Sequence, residues 1–512
     1  MVLKFLAEAK GRPLTVHAAV PARRQHACKG RGGPWARGLA AWLGFGWLRH
    51  FSPLAYHWRA MAAKMHHDTK FARAQPADPR PKSAVSTGVG VAGLVGLLAW
   101  VAVARWFGMD GPYSALVNLA CCGVPMVLWS IFVDKVHRSP STGIDWSRHT
   151  PWRETLDTSL TKIAGLWITW VGIALIYGTG RFYWRGNFAF SMNVFATAAP
   201  LLFIGSIPYI LWLDRKLVEP KNDGAWAFGA WLMGMGVPDR ELIYNHLRSW
   251  AVKAFFLAFM LAIVPPGFGD FIRADTSALL HNPVALANWL ITFMFVMDVA
   301  FATVGYVLTV KPLDAHIRSA TPYAAGWVAA LICYPPFILM GQGGPLDYHP
   351  GTAEWTHWYA GHPVLLAANG VVLVGLTAIY AWATIAFGFR FSNLTHRGIL
   401  THGPYAFSRH PAYLSKNLFW WLSTIPIFTT GSVVDAARAT ILMGVVAGVY
   451  YWRAKTEEWH LGADPAYRAY SEWMARNGAV PRFFAWVAGQ RRASAAAPAD
   501  QPGPFDQNRI SS

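Results

Sequence analysis

From residue 88 onward, long apolar runs alternate with short polar loops. The runs lie near 88–107, 113–133, 159–178, 192–213, 249–267, 284–310, 322–341, 364–388, 411–431 and 434–452. About 20 consecutive apolar residues are needed for a helix to cross the hydrocarbon core of a bilayer. The pattern therefore predicts an all-α, polytopic integral membrane protein with about ten transmembrane helices. The runs are continuous, whereas a membrane β-barrel requires alternation. The stretch AWAFGAWLMGMG (225–236) is too short to span and is expected to be interfacial or buried in a loop.

Basic residues test the count. With the N-terminus cytoplasmic, the inside loops carry Lys135, Arg138, Arg148 and Arg153, then Arg215, Lys216, Lys221, Arg240 and Arg248. The later inside loops carry Lys311 and Arg318, then Arg390, Arg397 and Arg409. The outside loops are poorer in bases, although 179–190 keeps Arg181 and Arg185. Cytoplasmic loops are enriched in Lys and Arg, so both termini are expected inside, at an inner (cytoplasmic) membrane.

Composition adds a basic arm to this picture. The net charge is +19, and residues 1–85 hold 15 Lys/Arg against 3 Asp/Glu. Beside a membrane, such an arm is read as attracted to anionic lipid. No folded nucleic-acid module accompanies it, so nucleic acid is not an expected partner. Residues 1–87 are expected to be a largely disordered or interfacial arm, with 74–87 as a linker. Residues 88–363 form a multi-span scaffold, 364–484 the chemistry-bearing region, and 485–512 a disordered tail. Cys28, Cys121, Cys122 and Cys333 form no C-x-x-C pair and no ligand frame. No cleavable signal peptide is visible.

Three features upstream invite functional readings. Asp298 lies inside an apolar window, where an acid is a functional candidate by default; pairing with a neighbouring helix is the simpler expectation. Pro265-Pro266 and Pro335-Pro336 are expected to kink or end their helices. The loop 347–363 holds His349, Glu354, His357 and His362, but in no recognised metal-ligand frame. No metal site is expected.

The chemistry concentrates in HRGILTHGPYAFSRHPAYLSKN (396–417) and RAKTEEWHLGADPAYRAY (453–470). Pro411 suits the first position of a helix, because its missing N–H costs nothing there. Arg409 and His410 would then stand at a helix N-terminus, whose free amides favour an anionic group. Gly403-Pro404 makes a tight turn, and Tyr405 and Tyr413 offer aromatic faces or hydroxyls. Glu457 and Glu458 are adjacent on a helix, about 100° apart, so they cannot do the same job. One of them is open to pairing with Arg453 at i,i+4 or with Arg409 across the hairpin. Lys416 lies about one and a half turns into the ninth window and is open between snorkelling to the interface and touching substrate.

The segment HGPYAFSRHPAYLSKN (402–417) resembles the G-x-Y…R-H-P-x-Y signature of the isoprenylcysteine carboxyl methyltransferase family, which is related more distantly to the phospholipid N-methyltransferases. Arg453, Glu457, Glu458, Leu461, Tyr467 and Tyr470 resemble its companion signature, and GAVPRF (478–483) its closing segment. The likeness covers residues 364–484, roughly a quarter of the chain. It implies a methyltransferase-like helical hairpin, S-adenosylmethionine as methyl donor, and a lipid or isoprenoid acceptor methylated on oxygen or nitrogen. It also implies site residues: Arg409, Arg453 and Glu457 as catalytic, and His402, Gly403, Tyr405, His410, Pro411, Tyr413 and Glu458 around the cofactor. Lys416 departs from the apolar residues that many members carry there, which leaves the acceptor open.

Two other readings compete. A sterol-reductase-like enzyme using NADPH fits the size and span count, but its R-H-x-N-Y-x-G-D pattern is not what RHPAYLSKN shows. A non-catalytic transporter or scaffold would suit Asp298, yet no inverted repeat is visible in the two halves.

Overall fold

The computed structural model describes residue 78 and residues 80–236 and 239–487. The basic arm and the C-terminal tail expected from the sequence lie almost wholly outside the described residues. Among the described residues the helices are α1 (Thr87–Phe107), α2 (Pro112–Phe132), α3 (Trp152–Thr179), α4 (Phe188–Asp214), α5 (Gly224–Leu232), α6 (Arg240–Arg273), α7 (Pro283–Val307), α8 (Ala324–Leu331), α9 (Pro363–Phe387), α10 (Pro411–Thr424), α11 (Val433–Leu461), α12 (Pro465–Asn477) and α13 (Ala479–Val487). A single turn, Trp355–Trp358, precedes α9. Beyond these, a two-residue ladder pairs β1 (Ser319–Ala320) antiparallel with β2 (Thr395–His396). The chain is an all-α, multi-pass membrane protein.

Eight helices among the described residues are long and apolar enough to cross a bilayer: α1, α2, α3, α4, α6, α7, α9 and α11. Large apolar side chains such as Leu201 and Val371 are about three-quarters exposed on their outer faces, as lipid contact requires. Two of the ten windows hold shorter helices. The run 322–341 is helical only over the 8 residues of α8, and 411–431 over the 14 residues of α10. At 1.5 Å per residue these are roughly 12 and 21 Å long, short of the ~30 Å core.

Chain contacts show that the α8 segment still traverses the bundle. At one end, Ser319 and Ala320 pair with His396 and Thr395. At the opposite end of α9, Gly351 accepts from the Thr430 amide at 2.9 Å, and the Trp358 indole donates to the Thr424 carbonyl at 3.2 Å. Residues 321–351 therefore run from one end to the other as a short helix followed by irregular chain. Irregular backbone at membrane depth is tolerated where it is buried in protein or lines a cavity. Here α8 packs beside α11, and Met340 and Tyr348 are buried against Met443 and Tyr450.

Helix starts follow the local sequence. Asn282 caps α7 ahead of Pro283, and Asp464 caps α12 ahead of Pro465. Ser432 and Asp435 form a reciprocal capping box on α11. Of the two outcomes expected for Pro265-Pro266, ending the helix is not the one realised: α6 continues to Arg273. Where hydrocarbon gives no hydrophobic drive, close backbone approach takes over. A Cβ on Gly229 in α5 would sit 2.0 Å from the Thr161 carbonyl of α3, so these helices touch backbone to backbone. The same corner holds a buried ion pair, Lys162 Nζ to Asp214 Oδ1 at 2.5 Å.

Two loop arginines read as cytoplasmic surface charge are in fact buried. Arg397 donates to the carbonyls of Gly305, Leu308, Ala315 and Phe391 at 2.5–3.0 Å, and the first two of these are groups left open at the C-terminus of α7. Arg390 donates to Asp314 and to the Arg397 carbonyl, both at 2.9 Å. Residues 81–84, expected to belong to a linker, are docked onto the first motif. The Ala84 amide donates to the Ile399 carbonyl at 2.8 Å, and Thr401 Oγ1 to the Pro81 carbonyl at 3.0 Å.

Candidate functional site

The first motif enters on a turn that needs glycine. Gly403 sits at φ +58°, and a Cβ there would crowd Trp382 and Ala386 of α9. A turn of 3-10 helix over Gly403–Ala406 follows, and α10 begins at Pro411 as the sequence predicts. Among the described residues no side chain caps that helix start. Tyr470 of α12 donates to the Tyr405 carbonyl at 2.7 Å, and the Ala479 amide to the Phe407 carbonyl at 2.8 Å. These bonds tie α12 and α13 to the back of the motif.

α10 and α11 form a hairpin that brings the two motifs together at one end. Arg409 Nη1 and His410 Nε2 lie 3.0 and 3.1 Å from Glu458 Oε1, while Lys455 Nζ is 2.8 Å from Oε2. Arg409 also donates to Ser471 of α12 at 2.8 Å. Glu457, one position earlier on the helix, instead accepts from the Tyr413 hydroxyl at 3.1 Å. The two acids thus have different partners, as their 100° offset requires. Of the pairings open to them, the one realised is Arg409 with Glu458 across the hairpin. Arg453 turns away from Glu457 and donates to Asn393 Oδ1 at 3.0 Å. Its guanidinium lies over the rings of Tyr413, Tyr450 and Tyr334 at 5.2, 5.3 and 5.6 Å.

These groups surround one hollow. It contains about 1000 Å³ of atom-free space, counting the part open to solvent, of which about 100 Å³ admits the centre of a water molecule. At its outer end are Thr321, Asn393, Arg409, His410, Glu457 and His460; at its inner end are Tyr380, Thr384, Lys416 and Tyr450.

Of the residues singled out from the sequence, Arg409, Arg453, Glu457, Tyr405, His410 and Tyr413 line the hollow. Glu458 stands directly behind, fixing Arg409 and His410. Pro411 is buried in the first turn of α10. His402 and Gly403 do not line the hollow. His402 Nδ1 lies 2.7 Å from Ser83 Oγ, and burial lowers its pKa. Burial, with Glu457 nearby, pushes the Tyr405 phenol well above its ordinary range.

Several lining residues were not singled out. Asn393 comes from the loop after α9, and both its amide nitrogens donate to the Tyr306 hydroxyl, at 2.9 and 2.8 Å. Tyr334 comes from the irregular chain after α8 and Tyr380 from α9; neither carries a sequence signal beyond being aromatic. Asp298 accepts from Thr384 of α9 at 2.5 Å, the helix-to-helix pairing expected of it. In the loop at the far end, His349 Nδ1 lies 2.7 Å from Asp347, and His357 packs edge-on against Trp358.

Residues 361–474, from the start of α9 into α12, match the model of a family described as "Protein of unknown function (DUF1295)". That stretch contains both motifs and the hairpin between them. No curated protein and no solved structure matches the chain.

Proposed function

We propose that the protein is an integral membrane methyltransferase that moves a methyl group from S-adenosylmethionine to a lipid or isoprenoid acceptor. One observation carries this reading: two segments about forty residues apart, each resembling a half of the isoprenylcysteine methyltransferase signature, close on the same hollow. Arg409, His410 and Tyr413 come from one side and Arg453 and Glu457 from the other.

The donor set suits an amino-acid nucleoside. The uncapped first turn of α10, lined by Ala412 and Tyr413, presents amides suited to a carboxylate. Glu457 has acceptor capacity for ribose hydroxyls or an ammonium group, and Tyr405 and Tyr413 offer faces to a purine. S-adenosylmethionine supplies an activated methyl on a sulfonium, so the chain's task is alignment and exclusion of water. Arg409, held by Glu458 and Ser471, fixes the mouth of the hollow. The inner end lies about two turns inside α9 at Tyr380 and about three turns inside α11 at Tyr450, where an acceptor embedded in the bilayer would enter.

Isothermal titration of the detergent-purified protein tests the reading. S-adenosylhomocysteine is expected to bind with micromolar affinity and NADPH not to compete. Tight NADPH binding without S-adenosylhomocysteine binding would favour the reductase-like alternative.

A further inference from the structure

Lys416 is a cation in the hollow that the proposed cofactor contacts leave unused. It lies five residues past Pro411 on α10, roughly 8 Å along the helix axis. Its ammonium is ringed by Tyr380 and Trp420, both at 5.2 Å, and Tyr450 at 5.6 Å. These rings belong to α9, α10 and α11, so the side chain points into the bundle and not toward the headgroups. A snorkelling lysine would do the reverse.

Among the described residues Lys416 has no hydrogen-bond or ion-pair partner. The nearest acid acting on it is Asp298, which does not line the hollow and already accepts from Thr384. Arg453 is a second lining cation that forms no ion pair with a carboxylate among the described residues; its partners are Asn393 and three tyrosine faces. Among the described residues the one carboxylate lining the hollow, Glu457, lies toward the outer end and accepts from Tyr413. Cations at membrane depth that no carboxylate contacts directly are costly and mark functional sites.

We infer that Lys416 selects the acceptor by charge: the inner end of the hollow takes a molecule that reacts through an anionic oxygen and turns away ammonium groups. This rests on the methyl-transfer reading for its chemistry, though not for its binding. An acceptor oxygen held by Lys416 uses its own lone pair to form the O–CH3 bond as the methyl–sulfur bond breaks. The sulfonium becomes a neutral thioether, the acceptor loses its negative charge, and no proton moves. An ammonium acceptor has no free lone pair and meets like charge from Lys416 and Arg453.

The test uses full-length protein in nonionic detergent, with dodecanoate and dodecylammonium as probes at about pH 8, where one is ionised and the other protonated. Binding is read from tryptophan fluorescence, with Trp420 beside Lys416. Wild type is expected to bind dodecanoate about tenfold or more tighter than dodecylammonium. Lys416→Met is expected to lose the preference and Lys416→Arg to keep it, with S-adenosylhomocysteine affinity unchanged in both. Equal or reversed preference in wild type, or a preference surviving in Lys416→Met, overturns the inference. Preference for dodecanoate without any S-adenosylhomocysteine binding would retain the role of Lys416 and remove the methyl-transfer reading.

Discussion

Arg409 and Glu458 meet at 3.0 Å, and His410, 48 residues from Glu458 in the chain, shares the same carboxylate oxygen at 3.1 Å. The pair locks the start of α10 to the end of α11. It also orients Arg409, whose second hold is Ser471. Glu458 is only 14% exposed, so water does little to screen the contact.

Glu458→Gln keeps the shape and removes the charge. Hydrogen bonds to charged groups contribute about 1.5–3 kcal/mol, so S-adenosylhomocysteine affinity is expected to fall roughly tenfold or more. Calorimetric titration checks this, and an unchanged affinity would separate the ion pair from the binding function.

Tyr413→Phe removes only the hydroxyl that donates to Glu457. A neutral donor is worth about 0.5–1.5 kcal/mol, so a loss of roughly three- to tenfold in the same titration is expected. The melting temperature should stay near wild type, since the ring and its contacts remain.

Arg397→Met tests the clamp on the C-terminus of α7. The side chain is 3% exposed and donates to four carbonyls. Leaving these acceptors buried without partners is expected to cost about 3 kcal/mol or more. A large drop in thermal stability, measured in detergent, is the expected outcome.

His316 gives the protein a pH dependence with a definite sign. Burial, helped by Lys311, lowers its pKa from 6.5 to about 4, with Asp314 opposing the shift. Between these values the unfolded chain binds a proton that the folded chain does not, so stability falls as pH drops from 6.5 toward 4. His396 and His402 are also lowered by burial and act in the same direction. Urea or thermal unfolding across that range should show the decline, with a smaller slope in His316→Asn.

The parts legible in the sequence were those written in local pattern. Apolar length marked the eight spans, and Pro411 marked the start of α10 because proline suits a first turn. The spacing of Arg409-His410 and Glu457-Glu458 around one hairpin pointed to residues that the fold does bring together. Residues 322–341 and 411–431 were apolar enough to span but are helical only in part; hydropathy records apolar length, not where a helix breaks against a neighbour. Arg397 and Arg390 looked like loop charge because burial by α7 and Asp314 depends on tertiary contact. Asn393 and Tyr334 were invisible for the same reason: each reaches the hollow from irregular chain outside the two motifs, and Tyr334 from far away in sequence. The docking of Pro81 and Ala84 onto Thr401 and Ile399 joins segments more than 300 residues apart, beyond any local pattern.

Methyl transfer itself is the most direct test. Purified protein in vesicles of native lipid extract is given S-adenosylmethionine carrying a labelled methyl group, and the extracted lipids are examined by mass spectrometry. Label entering one lipid species with wild type, and falling at least tenfold with Glu458→Gln, is the outcome this account predicts. Lipids that stay unlabelled with well-folded wild-type protein, under conditions where NADPH is consumed instead, would contradict it.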